Sequence, residues 1–246
     1  MADTAMSRTQ GEARHGMAGR NVYTVADFGD GIEMTEAPEH LSRHQREQLM
    51  GHRGLILWYT GLSGSGKSTL ANAVAAELHR QGVHTFVLDG DNVRARLNAD
   101  LGFSPQDRDE NIRRVQELAR LFMEAGIVVG VAVISPYRAA RERLRMLVGQ
   151  EDYVEIYCSA SLESCEARDV KGLYKAAREG AIKDFTGVSA PYEPPANPDV
   201  VVDTGALKLE ECVRMVLAEI ARRDIRRTVL PPRRSRPAEA PADEKR

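Results

Sequence analysis

The run Gly61-Leu62-Ser63-Gly64-Ser65-Gly66-Lys67-Ser68, followed by Thr69, satisfies the phosphate-binding pattern G-x-x-x-x-G-K-[ST] at each constrained position. Its glycines let backbone N–H groups turn toward phosphate oxygens, and a helix opening near Lys67 adds the partial positive charge of its N-terminus. The Lys67 ammonium can reach outer phosphates, and the Ser68 hydroxyl is a Mg²⁺ ligand of the usual kind. This spacing predicts a site for a nucleoside triphosphate and leaves the phosphate acceptor unnamed.

Further residues supply the rest of a transfer site. Asp89 and Asp91 lie in Val87-Leu88-Asp89-Gly90-Asp91-Asn92, directly after an apolar run. Asp89 can organise Mg²⁺ through water or take the proton of an attacking hydroxyl, with Asp91 second in line; a turn built by Asp-Gly is the structural alternative. Arg94 and Arg108 suit bidentate recognition of phosphate or sulfate on an anionic acceptor. Phe103 and Phe185 sit in glycine-containing, loop-like contexts of a chain with 5% aromatic residues, where two rings could clamp a base or anchor loops on the core. The stretch 165–187 is polar and rich in Lys, Arg and Gly, interrupts the rhythm of strands and helices, and reads as a lid. From it Lys171 and Lys175 can swing over a transferring phosphoryl group while closure excludes water.

These residues need a scaffold. Strand-like runs at 55–60, 85–88, 127–134, 153–157 and 199–202 alternate with helical patterns at 67–81, 107–125, 138–147 and 207–222. In the second helix Ile112, Val115, Leu118, Phe122 and Ala125 make an apolar face, and in the last Val213, Val216, Leu217 and Ile220 do. Such alternation predicts an α/β fold, a parallel sheet with helices on both faces and ligands at the carboxyl ends of the strands. Residues 1–20 read as a disordered arm, 21–50 as an extension with a helix, 51–223 as one domain, and 224–246 as a disordered tail rich in Pro and Arg.

Composition sets the outer bounds. A chain of 246 residues with 42% hydrophobic residues and a net charge of −2 can bury a full core and carries no global signature of nucleic-acid binding. The apolar run 127–134 is far short of a membrane span, and the N-terminus lacks the apolar centre of a secretory signal, so a cytoplasmic protein off the membrane is expected. Cys158, Cys165 and Cys212 are odd in number, follow no metal-ligand spacing and read as reduced packing residues. His40 and His44 are four apart in a predicted helix, but no third ligand accompanies them.

Taken together, several runs resemble the adenylylsulfate kinases. They are Thr60 to Thr69, Leu88-Asp89-Gly90-Asp91-Asn92-Val93-Arg94, Asp100-Leu101-Gly102-Phe103-Ser104, Asp107-Arg108-Asp109-Glu110-Asn111-Ile112-Arg113-Arg114, Ile134-Ser135-Pro136-Tyr137-Arg138, Arg168-Asp169-Val170-Lys171-Gly172-Leu173-Tyr174 and Phe185-Thr186-Gly187-Val188. The resemblance covers about 40–222 and implies a P-loop kinase-type fold with a lid. The implied activity is MgATP-dependent phosphorylation of the 3′-hydroxyl of adenosine 5′-phosphosulfate, with ATP and Mg²⁺ as cofactors. It further implies that Arg94, Arg108 and Asn111 hold the phosphosulfate near the backbone of Ile134 and Ser135, that Phe103 and Phe185 sandwich the acceptor adenine, that Lys171 and Leu173 contact the acceptor, and that Arg168 lies against the ATP adenine. Ser135 is in this family sometimes assigned as a phosphoserine intermediate; direct in-line transfer is the reading preferred here, because no base adjoins it in sequence. The run Gly130-Val131-Ala132-Val133 is smaller than the family's usual strand end. A homodimer is implied, and a sulfate adenylyltransferase is the candidate macromolecular partner. Two competing readings are a P-loop kinase of a sugar acid, which would give the phenylalanine pair nothing to stack on, and a catalytically silent nucleotide-binding subunit, against which the retained Lys67, Ser68 and Asp89 speak.

Overall fold

The structure is a computed structural model that describes residues 41–226. The arm at 1–20, most of the 21–50 extension, His40 and nearly all of the predicted tail lie outside the described residues.

The helix expected in the extension is α1 (Arg43–Met50), opened by a capping box in which Ser42 and Gln45 exchange side-chain and backbone hydrogen bonds, and closed by Gly51 in the left-handed conformation. Then follow β1 (Leu55–Thr60), α2 (Lys67–Arg80), β2 (Thr85–Asp89), α3 (Gly90–Ala95), α4 (Pro105–Glu124), β3 (Val128–Ala132), α5 (Arg138–Val148) and β4 (Tyr153–Cys158). The remaining elements are α6 (Leu162–Arg168), α7 (Leu173–Arg178), β5 (Val200–Val202) and α8 (Leu209–Arg222). The strands form one sheet in the order β2-β3-β1-β4-β5, and every ladder is parallel. All carboxyl ends therefore open on one rim, with β1 in the middle.

β1 shows why the sheet needs helices on both sides. Its six residues are all buried, and with a side-chain period of two they feed two separate cores. Leu55, Leu57 and Tyr59 join Leu70, Val74 and Leu78 of α2 and Val216 and Ile220 of α8. Ile56 and Trp58 join Val115, Ala119 and Met123 of α4 and Leu144 of α5. Each fully buried aliphatic side chain contributes about 1.5–3 kcal/mol, so these two layers fix the strand that carries the phosphate loop.

The observed elements differ from expectation in instructive ways. The strand expected at 127–134 ends at Ala132, beyond which the chain leaves the ladder after Val133 N–H donates to the Tyr59 carbonyl (3.3 Å). The alternative that Asp89-Gly90 builds only a turn fails: Asp89 caps α3, its carboxylate accepting from Asp91 N–H (3.0 Å). The region 165–187 does not interrupt the rhythm as expected, because it contains the end of α6 and all of α7. Ser161 caps the first, and Asp169 accepts from the N–H groups of Tyr174 and Lys175 at the start of the second. Both helices are too short to show an apolar stripe over two turns.

The three cysteines are buried and free. Among the described residues no helix is long and apolar enough to cross a membrane, and no group of three ligating side chains is arranged for a metal; His44 is engaged with Gln48.

Candidate active site

The loop between β1 and α2 holds its shape through backbone conformations that side chains resist. Gly61 has φ +148°, and a Cβ there would sit 2.6 Å from the Cys158 carbonyl oxygen. Gly66 caps α2 at φ 82°, the left-handed region. Inside the loop the Lys67 ammonium donates to the carbonyls of Gly61 (3.1 Å) and Leu62 (2.6 Å). Burial pushes its pKa down to about 8. Carbonyls on the outer side of the loop are braced from elsewhere in the chain. Tyr174 donates to Ser63 (2.9 Å), Arg168 to Gly64 (3.2 Å) and Thr204 to Ser65 (2.7 Å).

At the start of α2 the Ser68 hydroxyl donates to the Asp89 carboxylate at 2.5 Å. A hydroxyl and a carboxylate in contact beside the phosphate loop fit Mg²⁺, which favours a few oxygen ligands and keeps several waters. Two ligands from the protein, with phosphate oxygens and water, match that habit. The chemistry the ion supplies when bound is neutralisation of charge on the phosphates.

The acceptor residues meet on the other side of the same rim. Arg94, at the end of α3, donates to the Gly102 carbonyl (2.9 Å) and stacks over Phe103, its guanidinium carbon 4.6 Å from the ring centroid. Arg108, in the first turns of α4, donates to the Phe103 carbonyl (2.9 Å), to Thr186 Oγ1 (2.9 Å) and to the Asp184 carbonyl (2.5 Å). Among the described residues neither forms an ion pair with a carboxylate. Burial first, and then repulsion from Arg108, lowers the Arg94 pKa. Asn111 is buried one turn on, accepting from the Asn98 amide (3.0 Å).

The two phenylalanines have unequal surroundings. Phe103 is 64% exposed, whereas Phe185 is 8% exposed and packs edge-to-face on Tyr174, ring centroids 5.1 Å apart. Leu173 is half-buried beside them in a small cluster with Leu62 and Leu162. Across the mouth, Lys171 forms an ion pair with Asp91.

Ser135, the candidate phosphoserine, is held in a hydrogen-bond network. It is 1% exposed, its hydroxyl accepts from the Trp58 indole N–H (3.0 Å) and donates to Thr60 Oγ1 (3.0 Å), and Thr60 in turn donates to the Ile134 carbonyl (2.8 Å). Among the described residues no carboxylate or imidazole bonds that hydroxyl.

One cavity of about 1210 Å³ connects these groups. It exceeds the roughly 300–1,000 Å³ of a single small-molecule site. Its walls include Ser63, Gly64, Gly66, Lys67, Ser68, Thr69 and Arg168 at one end, and Asp89, Asp91, Arg94, Phe103, Arg108, Asn111, Ile134, Ser135, Lys171, Leu173 and Phe185 toward the other. Gly61, Leu62 and Ser65 of the expected set do not line it; Leu62 turns its side chain into the small cluster and Ser65 is buried. Sequence reading missed Thr204, Leu207 and Thr186, which do. The signal for Thr204 was present: Asp203-Thr204-Gly205 directly follows β5 on the rim where Asp89 ends β2.

Residues 53–203 match the family described as adenylylsulphate kinase. The chain belongs to that family. The adenylyl-sulfate kinase of Acaryochloris marina is 56% identical to this member over 185 residues, covering 75% of this chain and 90% of the relative. That of Prochlorococcus marinus is 54% identical over 180 residues, covering 73% and 90%. Among solved structures, the Mycobacterium tuberculosis APS kinase CysC in complex with AMPPNP and APS is 43% identical, with a TM-score of 0.66 over 69% of this chain and 99% of that one. This family member therefore shares the fold of that kinase, and its parallel five-stranded sheet is the P-loop kinase fold.

Proposed function

We propose that this adenylylsulfate kinase moves the γ-phosphoryl group of MgATP to the 3′-hydroxyl of adenosine 5′-phosphosulfate, giving ADP and 3′-phosphoadenylylsulfate in sulfate activation, with the residues above in the following roles. The phosphate loop and Lys67 hold the ATP phosphates, Arg168 and Thr204 border the adenine end, and Ser68 and Asp89 hold Mg²⁺. Arg94, Arg108 and Asn111 bind the phosphosulfate against the Ile134–Ser135 backbone, while Phe103, Phe185 and Leu173 frame the acceptor adenine. Asp89 accepts the hydroxyl proton, and Lys67 and Lys171 balance the charge that grows on the transferring group. Transfer is direct, because Ser135 has no base.

The observation that carries this reading is the single cavity with a phosphate loop at one end and two arginines lacking carboxylate partners at the other. A sugar acid would leave the exposed Phe103 ring without a partner. Lys171 sits opposite Asp91 in this reading as the lid contact that closes over the acceptor. A coupled assay for ADP, run with adenylylsulfate and with several sugar acids, tests it; absence of turnover with adenylylsulfate defeats it. Quench-flow with γ-labelled ATP tests direct transfer, since a kinetically competent phosphoprotein lost in Ser135→Ala overturns that step. Family likeness also suggests a homodimer, which sedimentation examines; a cytoplasmic location and contact with a sulfate adenylyltransferase are further parts of the reading, tested by fractionation and co-purification.

A further inference from the structure

The wall that faces the acceptor contains a conformational oddity. Ser135 has φ +41°, a left-handed value that serine adopts only where its surroundings impose it. Its hydroxyl is held from the sheet side by Trp58 and Thr60. Its carbonyl is held by Arg141 of α5, whose Nη1 donates to it.

Arg141 is itself unusual. Its side chain is only 2% exposed, and it does not line the large cavity. Nε donates to Glu155 of β4 (2.8 Å), and Nη2 donates to the Glu193 carbonyl (2.7 Å). Glu155 is oriented in turn by Arg145 (3.3 Å), and its backbone N–H donates to Asp199 (2.8 Å). The segment around Glu193 is stitched to the Ser135 turn a second time, by Glu193 N–H donating to the Pro136 carbonyl (2.9 Å) and by Arg138 N–H donating to the Glu193 carboxylate (2.8 Å). One planar guanidinium thus joins three separate parts of the chain, a task its fixed fork of donors performs and a lysine ammonium cannot reproduce.

We propose that Arg141 is a positioning residue for the acceptor site: from behind the wall it imposes the left-handed turn at Ser135 and so sets where the Ile134–Ser135 backbone meets the acceptor. Glu155 aims the guanidinium, and Trp58 and Thr60 hold the Ser135 hydroxyl while Arg141 holds its carbonyl. Arg141 itself donates to Glu155, Ser135 and Glu193 and to no residue of the loop from Gly61 to Ser68, so the effect of changing it is expected at the acceptor. The inference rests on the acceptor site as assigned above, and MgATP binding measured in the same variants separates its failure from failure of that assignment.

The test is Arg141→Lys in the full chain, which keeps a cation beside Glu155 but loses the fork. The expected result is a rise of tenfold or more in KM for adenylylsulfate, with the dissociation constant for MgATP within twofold of the parent. Trp58→Phe, which removes the indole hydrogen bond to the Ser135 hydroxyl while keeping an aromatic ring, should shift the same KM by about threefold and again spare MgATP. If both substrates weaken alike, Arg141 serves only general stability and the proposal falls; it falls equally if neither changes. Should Arg141→Lys not fold, Trp58→Phe decides by the same criterion: an acceptor-selective rise sustains the proposal, and a uniform or absent effect overturns it. A parent enzyme that binds MgATP yet never turns over adenylylsulfate would instead remove the assignment on which the proposal stands.

Discussion

The donor and acceptor ends of the cavity are built on opposite electrostatic plans. At the donor end the polar groups already have partners: Lys67 sits on loop carbonyls, Ser68 on Asp89, and the outer carbonyls of the loop on Tyr174, Arg168 and Thr204. At the end expected to take the acceptor, Arg94 and Arg108 reach main-chain carbonyls and one threonine, and among the described residues neither forms an ion pair with a carboxylate. The first end is a preformed cradle whose geometry is fixed before the ligand arrives. The second is a pair of guanidiniums whose charge is completed only by an anion, so its selectivity for a phosphosulfate is electrostatic as well as steric.

The largest expected effect breaks the donor end. Lys67→Ala should lower kcat by about 10³-fold, the scale of losing a charge-stabilising donor in a transition state. Steady-state assays with either substrate varied should agree; a loss confined to the acceptor KM would erase the distinction between the two ends. Next comes Arg94→Ala, expected to raise the acceptor KM by about 10–150-fold, since a hydrogen bond to a charged group is worth about 1.5–3 kcal/mol. Calorimetric binding of MgATP should stay unchanged, and a parallel loss there would show the ends to be coupled.

The rings sharpen the comparison further. Phe103→Ala removes an exposed side chain and should weaken the acceptor by about tenfold with the melting temperature unmoved, as stacking on a base is worth about 1–3 kcal/mol. Phe185→Ala opens a buried site against Tyr174 and should lower both acceptor affinity and thermal stability. Equal melting behaviour of the two variants would contradict their unequal burial.

The smallest effect is a protonic one. Burial lowers the Lys67 pKa to about 8 in the free protein, and phosphates beside it raise it again. Above about pH 8, MgATP binding should therefore take up protons and weaken as pH rises. Calorimetry in two buffers of different ionisation enthalpy measures this uptake, and its persistence in Lys67→Met would assign it to another group.

How much of this was legible beforehand differs along the same divide. The phosphate loop, β1 and the long helices declare themselves because glycine spacing and apolar periodicity run over many residues, and β1 begins and ends where the apolar run does. α6 and α7 do not, since six or seven residues carry less than two turns of pattern. Nor does the duty of Ser135, whose partners Trp58 and Thr60 lie on another strand, or that of Thr204, which needs β5 to end beside the loop. Residue type announces chemistry that is local; roles that depend on a neighbour far away in the chain appear only once the sheet order is known.

That order, β2-β3-β1-β4-β5, also has a consequence in time. β1 carries the phosphate loop, yet its two neighbours begin only at Val128 and Tyr153. At about 5–20 residues per second, a ribosome adds the roughly 70 residues between β1 and β3 in about 4–15 s. Throughout that interval Leu55–Thr60 is a nascent apolar segment with both edges unpaired, the state in which wrong pairing between chains is easiest. The strand most central to the finished enzyme is thus the one that waits longest for its first neighbour, and its protection during synthesis has to come from outside the sheet.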